Sequence, residues 1–222
     1  MSRLDFPIAL QLHGKRVLLV GAGRIAEGRL MQLLEVGANV RVVAPEVTEA
    51  IGALAASGRI ELLQRGYAFG DCADAFVVFT AADDRSVNRA VVTEARARGI
   101  FANAADAPEL CDFTIPSIGR RGPVTLAVST SGQAPALARA LRLRAMAAIG
   151  PEFGTLARLL GRLRKLDRGP GRAARLQALV DSDAPALLAR GEAKLLWKSV
   201  RGIWAARPRS RFIAPVGPEV SP

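Results

Sequence analysis

Short apolar runs alternate with segments of helical spacing through the first half of the chain, and the rhythm changes near residue 113. Residues 17–20 are four consecutive apolar β-formers, and 39–44 carry a second apolar run, with apolar positions recurring at helical spacing between them. The same pattern predicts a helix over 47–56, strands over 60–63 and 76–80, a helix over 85–98 ending at Gly99, and a strand over 101–103. Unbroken rather than alternating apolar strands, separated by helices, imply an α/β fold. The expectation is a Rossmann-type, doubly wound, mainly parallel sheet.

Beyond 112 two β-rich runs, 113–118 and 124–129, are joined by Gly119-Arg120-Arg121-Gly122-Pro123, a spacing that suggests a hairpin. The cluster Ser129-Thr130-Ser131-Gly132-Gln133-Ala134-Pro135 then reads as an N-cap leading into a helix over 136–149. Everything after Gly150 has helical spacing, broken at Gly169-Pro170-Gly171, Pro185 and Gly191. The expected organisation is a dinucleotide-binding domain over 1–112, a hairpin-and-helix region over 113–149, a small helical domain over 150–206 and a loose tail over 207–222. No internal repeat is visible.

The first strand runs directly into Gly21-Ala22-Gly23-Arg24-Ile25-Ala26, a G-x-G-x-x-A turn at the start of a helix. Gly21 permits the tight turn, Gly23 lets backbone approach a pyrophosphate, and Ala26 lets helix and strand pack closely. Exposed N–H groups at the helix start would face phosphates. The structural alternative is a tight βα turn with no ligand. Nucleotide choice depends on the end of the second strand, where Val40-Arg41-Val42-Val43-Ala44-Pro45-Glu46 lacks the usual terminal acid. Glu46 stands two residues late yet within reach of a ribose, while Arg41 should point to a face of the sheet. The balance favours NAD slightly.

Composition sets limits on these readings. With 222 residues, half of them hydrophobic, the chain can bury a core in one domain and a smaller annex, as a globular soluble protein. No apolar run approaches the roughly 18 residues of a membrane span, and the opening Met-Ser-Arg-Leu-Asp-Phe-Pro lacks a signal-peptide core, so the cytoplasm is expected. Cys72 and Cys111 have neither C-x-x-C spacing nor a neighbouring histidine cluster, which argues against a disulfide framework or zinc site. Both read as ordinary thiols. The net charge of +11 is concentrated late, with 14 Lys/Arg against 6 Asp/Glu from Gly150 onward. Arginines there alternate with a leucine stripe, consistent with solvated helix faces or with attraction of an anion. No nucleic-acid motif accompanies the charge, and only 5% of residues are aromatic, so no nucleic-acid partner is expected.

A second chemical cluster, Asn103-Ala104-Ala105-Asp106-Ala107-Pro108-Glu109-Leu110-Cys111-Asp112-Phe113, follows the carboxyl end of a parallel strand, where ligands of open α/β sheets collect. Small apolar neighbours would desolvate Asp106 and make it a proton acceptor. Spacing alone favours a turn aspartate bonding its own backbone before Pro108. His13, beside Gly14, reads as a surface turn residue, and Asp83 and Asp84 as N-caps of the helix that follows.

Taken together, Phe6-Pro7, 17–26, 40–45, Thr80-Ala81-Ala82-Asp83, Asn103 to Pro108, 113–117 and Ala127-Val128-Ser129-Thr130-Ser131-Gly132 resemble the siroheme synthase family, specifically its precorrin-2 dehydrogenase and sirohydrochlorin ferrochelatase module. The resemblance runs from about Leu4 to Arg142 and continues more loosely through the helical remainder. It implies NAD-dependent oxidation of precorrin-2 to sirohydrochlorin, followed by insertion of ferrous iron as substrate to give siroheme. It implies that Asp106 is the essential proton acceptor, and that the dinucleotide lies on Gly21, Ala22, Gly23, Arg24 and Ile25 and on Pro45 and Glu46. It further implies a homodimer built through the hairpin and the helix after it, completing the active cleft.

The residues themselves are compatible with these implications. A tetrapyrrole brings its own nitrogen ligands, so a chelatase needs no His/Cys cluster. Its carboxylates would give basic helices something to attract. No counterpart of the fused methyltransferase of some members is expected in these residues, and Thr130 stands where some members carry serine in a paired-serine motif. A dehydrogenase without chelatase activity and a non-catalytic dinucleotide-sensing module are the alternatives.

Overall fold

The computed structural model describes residues 5–105 and 107–206, so Asp106 and the tail from Arg207 lie outside the described residues. The chain divides into two compact units, Met1–Ile115 and Pro116–Pro222.

The first unit is a five-stranded sheet of β1 (Arg16–Val20), β2 (Asn39–Val43), β3 (Glu61–Leu63), β4 (Val77–Thr80) and β5 (Phe101–Ala104). Their order is β3-β2-β1-β4-β5 and every pairing is parallel. Helices α1 (Arg24–Glu35) and α2 (Glu49–Ala56) cover one face, and α3 (Arg85–Ala97) covers the other. Strand β1 shows why its run is unbroken. Val17 and Leu19 join Ala26, Leu30 and Ile51 in the core of the first face, while Leu18 and Val20 join Val91, Val92 and Ala95 in that of the second. Leu18, Leu19 and Leu30 are essentially without exposed surface. Truncating one of them to alanine would cost about 2–5 kcal/mol.

The crossover from β3 to β4 contains no helix and is held by a polar cluster instead. Both Nη atoms of Arg65 donate to the Asp71 carboxylate at 2.7 and 2.6 Å, and Ala68 N donates to it at 2.9 Å. Tyr67 donates its hydroxyl proton to Glu94 of α3, which also accepts from Gly70 N at 2.9 Å and Arg98 Nε at 2.8 Å. Asp71 and Glu94 are buried, so these bonds offset a desolvation cost that would otherwise fall on the fold. Arg41, expected on a face of the sheet, pairs with Glu61 at 3.0 Å across β2 and β3.

In the second unit β6 (Ser117–Arg121) and β7 (Val124–Val128) form an antiparallel hairpin packed against α4 (Pro135–Ala147). The expected strand over 113–118 begins instead at Ser117. Pro116 offers no N–H to a ladder, and Phe113 and Ile115 pack on the core of the first unit. The turn is also shorter than expected. Gly122 and Pro123 alone connect the strands, with Gly122 at φ +57°, as a type II′ turn with glycine at its first central position requires. Helices α5 (Pro151–Leu166), α6 (Arg172–Val180), α7 (Ala184–Ala189) and α8 (Ala193–Ala205) complete the unit around Leu156, Leu179, Leu187, Leu196 and Val200.

Several element ends differ from expectation. Helix α2 starts at Glu49, two residues later than expected, because Thr48 caps it by accepting from Ile51 N. Asp84 caps α3 through Ser86 N at 2.7 Å, and Asp83 does not share that role. The 129–131 cluster does not cap α4. Thr130 Oγ1 accepts from Ala134 N and Ser129 Oγ from Ser131 N, so the hydroxyls shape the turn before the helix, which starts at Pro135. Pro185 lies in the first turn of α7 rather than separating helices, because the N–H it lacks would be unpaired there anyway. His13 is an exposed turn residue, as expected.

Candidate active site

The carboxyl ends of β1, β4 and β5 come together at the point where strand order reverses, the usual ligand edge of such sheets. The glycine turn leaves β1 there. Gly21 adopts φ +99°, and a Cβ added to it would stand 2.4 Å from Ala81 O and 2.7 Å from Ala81 C. Only glycine fits that contact. Gly23 differs, because nothing of the protein lies within 4 Å of where its Cβ would be, and it serves as the extended N-cap of α1 without a side-chain cap. The first turn of α1 thus presents backbone N–H groups beside open space. Ala22 and Ala26 are buried beneath, while Arg24 and Ile25 are exposed. Pro45 and Glu46 stand exposed just beyond β2, where Thr48 Oγ1 donates to Glu27 of α1 at 2.8 Å and ties the two βα turns together.

The β4–α3 turn that Gly21 abuts is fixed by Asn88. This buried amide takes the Thr80 hydroxyl proton, accepts from Ala82 N at 3.1 Å and donates to Ala82 O at 2.8 Å. Its signal in the sequence is an amide on the buried side of an otherwise amphipathic helix, where an aliphatic residue would be ordinary.

The loop after β5 is held at both ends. Ala105 N donates to Thr80 O at 2.8 Å, and Asp112 pairs with Ala102 through its backbone N–H and its carboxylate, each at 2.9 Å. Arg96 Nε donates to the same carboxylate at 2.9 Å. Asn103 Nδ2 donates to Phe113 O at 2.9 Å. The Cys111 thiol lies 3.2 Å from Ala104 O and 3.4 Å from Ala107 O, on either side of residue 106 in sequence. Burial pushes that thiol above its ordinary pKa, which keeps it protonated as a donor. Cys111, read from the sequence as an ordinary thiol, is therefore a brace of this loop.

Between the glycine turn and the loop opens a cavity of about 200 Å³. Ile25, Ala81 and Ala82 form one side, Ala105, Ala107 and Leu110 another, and Asp83, Glu109, Arg85 and Arg89 stand around it. Asp106 is outside the described residues, but both its sequence neighbours line this cavity. A second cavity of about 170 Å³ lies at the opposite, amino edge among Arg16, Asn39, Arg41 and Arg59, away from the glycine turn. Among the described residues no group of three or more His, Cys, Asp and Glu is placed to hold a metal, and no helix is long and apolar enough to cross a membrane.

Residues 8–117 match a family described as putative NAD(P)-binding. The siroheme synthase of Methylococcus capsulatus is 45% identical over 159 residues, which is 72% of this chain and 34% of that protein. That of Pseudomonas entomophila is 42% identical over 158 residues, 71% of this chain and 34% of that protein. Over most of its length the chain is thus similar to one part of the siroheme synthases. It spans about a third of the length of the curated relatives it matches. Among solved structures, one titled "SirC, precorrin-2 dehydrogenase" superposes with a TM-score of 0.73 at 24% identity, covering 91% of this chain and all of the other. That likeness shows the fold. The glycine turn and the two ends of the loop after β5 lie at the same edge of the sheet.

Proposed function

We propose that the chain catalyses NAD-dependent oxidation of precorrin-2 to sirohydrochlorin, with Asp106 as proton acceptor. The observation that carries this reading is the cavity at the carboxyl edge, where Ala105 and Ala107 face Ile25 of the glycine turn. A dinucleotide-binding turn and the neighbours of a carboxylate thus share one crevice.

The residues present fit a nicotinamide dinucleotide. Space is open at Gly23, and the N–H groups of the first α1 turn have no side-chain cap to displace. Arg24 and Ile25 would flank the phosphates, while Pro45 and Glu46 would border the adenosine ribose. The Glu46 carboxylate would accept from ribose hydroxyls and repel a 2′-phosphate, which favours NAD over NADP. When bound, the nicotinamide supplies a hydride acceptor. Asp106 would take the accompanying proton on a carboxylate oxygen. The Cys111 brace and the Ala105 bond to β4 hold the loop around it on the rigid end of the sheet.

Ferrous iron insertion into sirohydrochlorin would follow in the same crevice, with iron as substrate held by the pyrrole nitrogens and Asp106 receiving their protons. The hairpin and α4, within residues 113–149, would join two copies as a homodimer, and the cytoplasm is the compartment in which both substrates would be met.

The test is anaerobic incubation of purified protein with precorrin-2 and NAD, following NADH formation. Appearance of NADH with sirohydrochlorin supports the reading, and its absence contradicts it. Sirohydrochlorin and ferrous ion, with and without protein, test the second step by the siroheme absorption spectrum. No acceleration over the spontaneous reaction would confine the function to the dehydrogenase.

A further inference from the structure

We propose that Arg85 and Arg89 form a carboxylate-binding subsite that orients a flat, polycarboxylate ligand in the crevice, an inference that rests on the dehydrogenase reading and deepens it. The two arginines lie one turn apart on α3, so their side chains are neighbours on one side of the helix. Both are exposed, and both border the cavity that also contains Ile25 and the neighbours of Asp106.

Their lack of partners separates them from the other arginines of α3 and its C-cap. Arg96 and Arg98 are each bound to a carboxylate, at 2.9 and 2.8 Å. Among the described residues Arg85 and Arg89 make no ion pair or hydrogen bond, although Asp83 and Glu109 face the same cavity. Two guanidinium groups thus border the crevice without a direct partner among the described residues. The negative charge of Asp83 and Glu109 disfavours an incoming carboxylate elsewhere on the rim. Each guanidinium presents a planar fork that matches a carboxylate.

Small apolar side chains, Ala81, Ala82, Ala105 and Ala107, line much of the cavity wall. Such a wall suits the face of a planar ring and offers nothing to a polar one. At about 200 Å³ the cavity is below the size of a pocket for a complete drug-sized ligand. It admits one edge of a tetrapyrrole, a ring with its carboxylate arms, and leaves the remainder outside. The arms would reach Arg85 and Arg89 while the ring lies along the alanines. This places the ring edge beside Ala105 and Ala107, the sequence neighbours of the proposed proton acceptor. The phosphates of the dinucleotide have their own donors at the start of α1, so the arginine pair reads the substrate rather than the cofactor.

The experiment compares the full chain with its Arg85→Gln/Arg89→Gln variant in three measurements: NADH affinity by fluorescence titration, sirohydrochlorin affinity by absorbance titration, and steady-state oxidation of precorrin-2. Glutamine keeps polarity and most of the length and removes the charge. The expected result is sirohydrochlorin affinity weakened and KM for precorrin-2 raised at least about tenfold, with NADH affinity and kcat unchanged within about threefold. Unchanged sirohydrochlorin affinity and KM, or NADH affinity reduced by the same factor, would overturn the subsite. Should the wild type bind sirohydrochlorin in an arginine-dependent way yet fail to oxidise precorrin-2, the subsite stands and the dehydrogenase reading fails. Oxidation by the wild type with an unaffected variant leaves the dehydrogenase reading standing and removes the subsite.

Discussion

Gly21 and Gly23 sit two residues apart in one turn, and the structure separates their roles by what surrounds each. An alanine at Gly21 would place its Cβ 2.4 Å from the carbonyl oxygen of Ala81, at a backbone φ of +99°. The conformation costs a non-glycine residue on the order of 1–3 kcal/mol. The clash cannot be relieved by a rotamer, because the offending atom is backbone. Ala81 N is bonded to Val20 O at 2.8 Å and the next residue is clamped by Asn88, so the β4–α3 turn must be displaced as a whole. Overpacking of that kind adds about 1–3 kcal/mol. Gly21→Ala should therefore lose roughly 2–6 kcal/mol, a large share of the marginal stability of a domain. Gly23→Ala meets no protein atom, and as an N-cap change it should cost no more than about 1 kcal/mol. Its methyl group would instead occupy the approach to the α1 amides. Lost charge-assisted bonds of about 1.5–3 kcal/mol weaken NADH binding by roughly 10- to 100-fold. Both tryptophans, Trp197 and Trp204, belong to the second unit, so intrinsic fluorescence would not report this perturbation. Hydrogen exchange of the β1 and β4 amides would, beside an NADH titration. Wild-type NADH affinity in Gly23→Ala, or wild-type protection in Gly21→Ala, would refute the reasoning.

Two further outcomes follow from buried polar groups. Asn88→Ala leaves the Thr80 hydroxyl and both polar groups of Ala82 without their partner, and should cost about 2–3 kcal/mol in urea denaturation while weakening dinucleotide binding through the Gly21 contact. Asp71 is held below the ordinary carboxylate range, first by the Arg65 fork and then by Ala68 N, against the upward push of burial. A depressed folded pKa contributes stability that is complete above the unfolded value near 4 and is lost as pH falls through the folded one. Asp71→Asn should accordingly be less stable than wild type at neutral pH, with the difference shrinking below about pH 4. A gap of constant size across that range in denaturation midpoints would show that the carboxylate charge is not what matters.

The strands and helices of the first unit are legible in the sequence because burial on both faces leaves unbroken apolar runs, as in 17–20. The glycine turn is equally legible, since Gly21 meets a constraint that only one residue type satisfies. The hairpin is displaced from its expected position because β-propensity at 113–115 does not reveal that Phe113 packs edge-on against Phe79, with ring centroids 5.7 Å apart, in another core. The supports of the site are the least readable part. Asn88 acts on residues six and eight positions back, and the Cys111 thiol acts on carbonyls that its own loop brings near. Neither relation has a periodic or spacing signal. The cluster of Arg65, Tyr67, Asp71 and Glu94 is hidden for the same reason, since Glu94 lies more than twenty residues from the loop it holds. The role proposed for Asp106 rests on family resemblance, because residue type and spacing alone favour a turn aspartate.

A nicotinamide dinucleotide on the glycine turn and the carboxylate of Asp106 are held to act together on one substrate. The direct measurement is anaerobic turnover of precorrin-2 with NAD by the wild type and by Asp106→Ala, paired with an NADH titration of both. Joint action predicts NADH formation by the wild type, turnover lowered at least about a hundredfold in the variant, and equal NADH affinity in the two. Retained turnover in Asp106→Ala would contradict it.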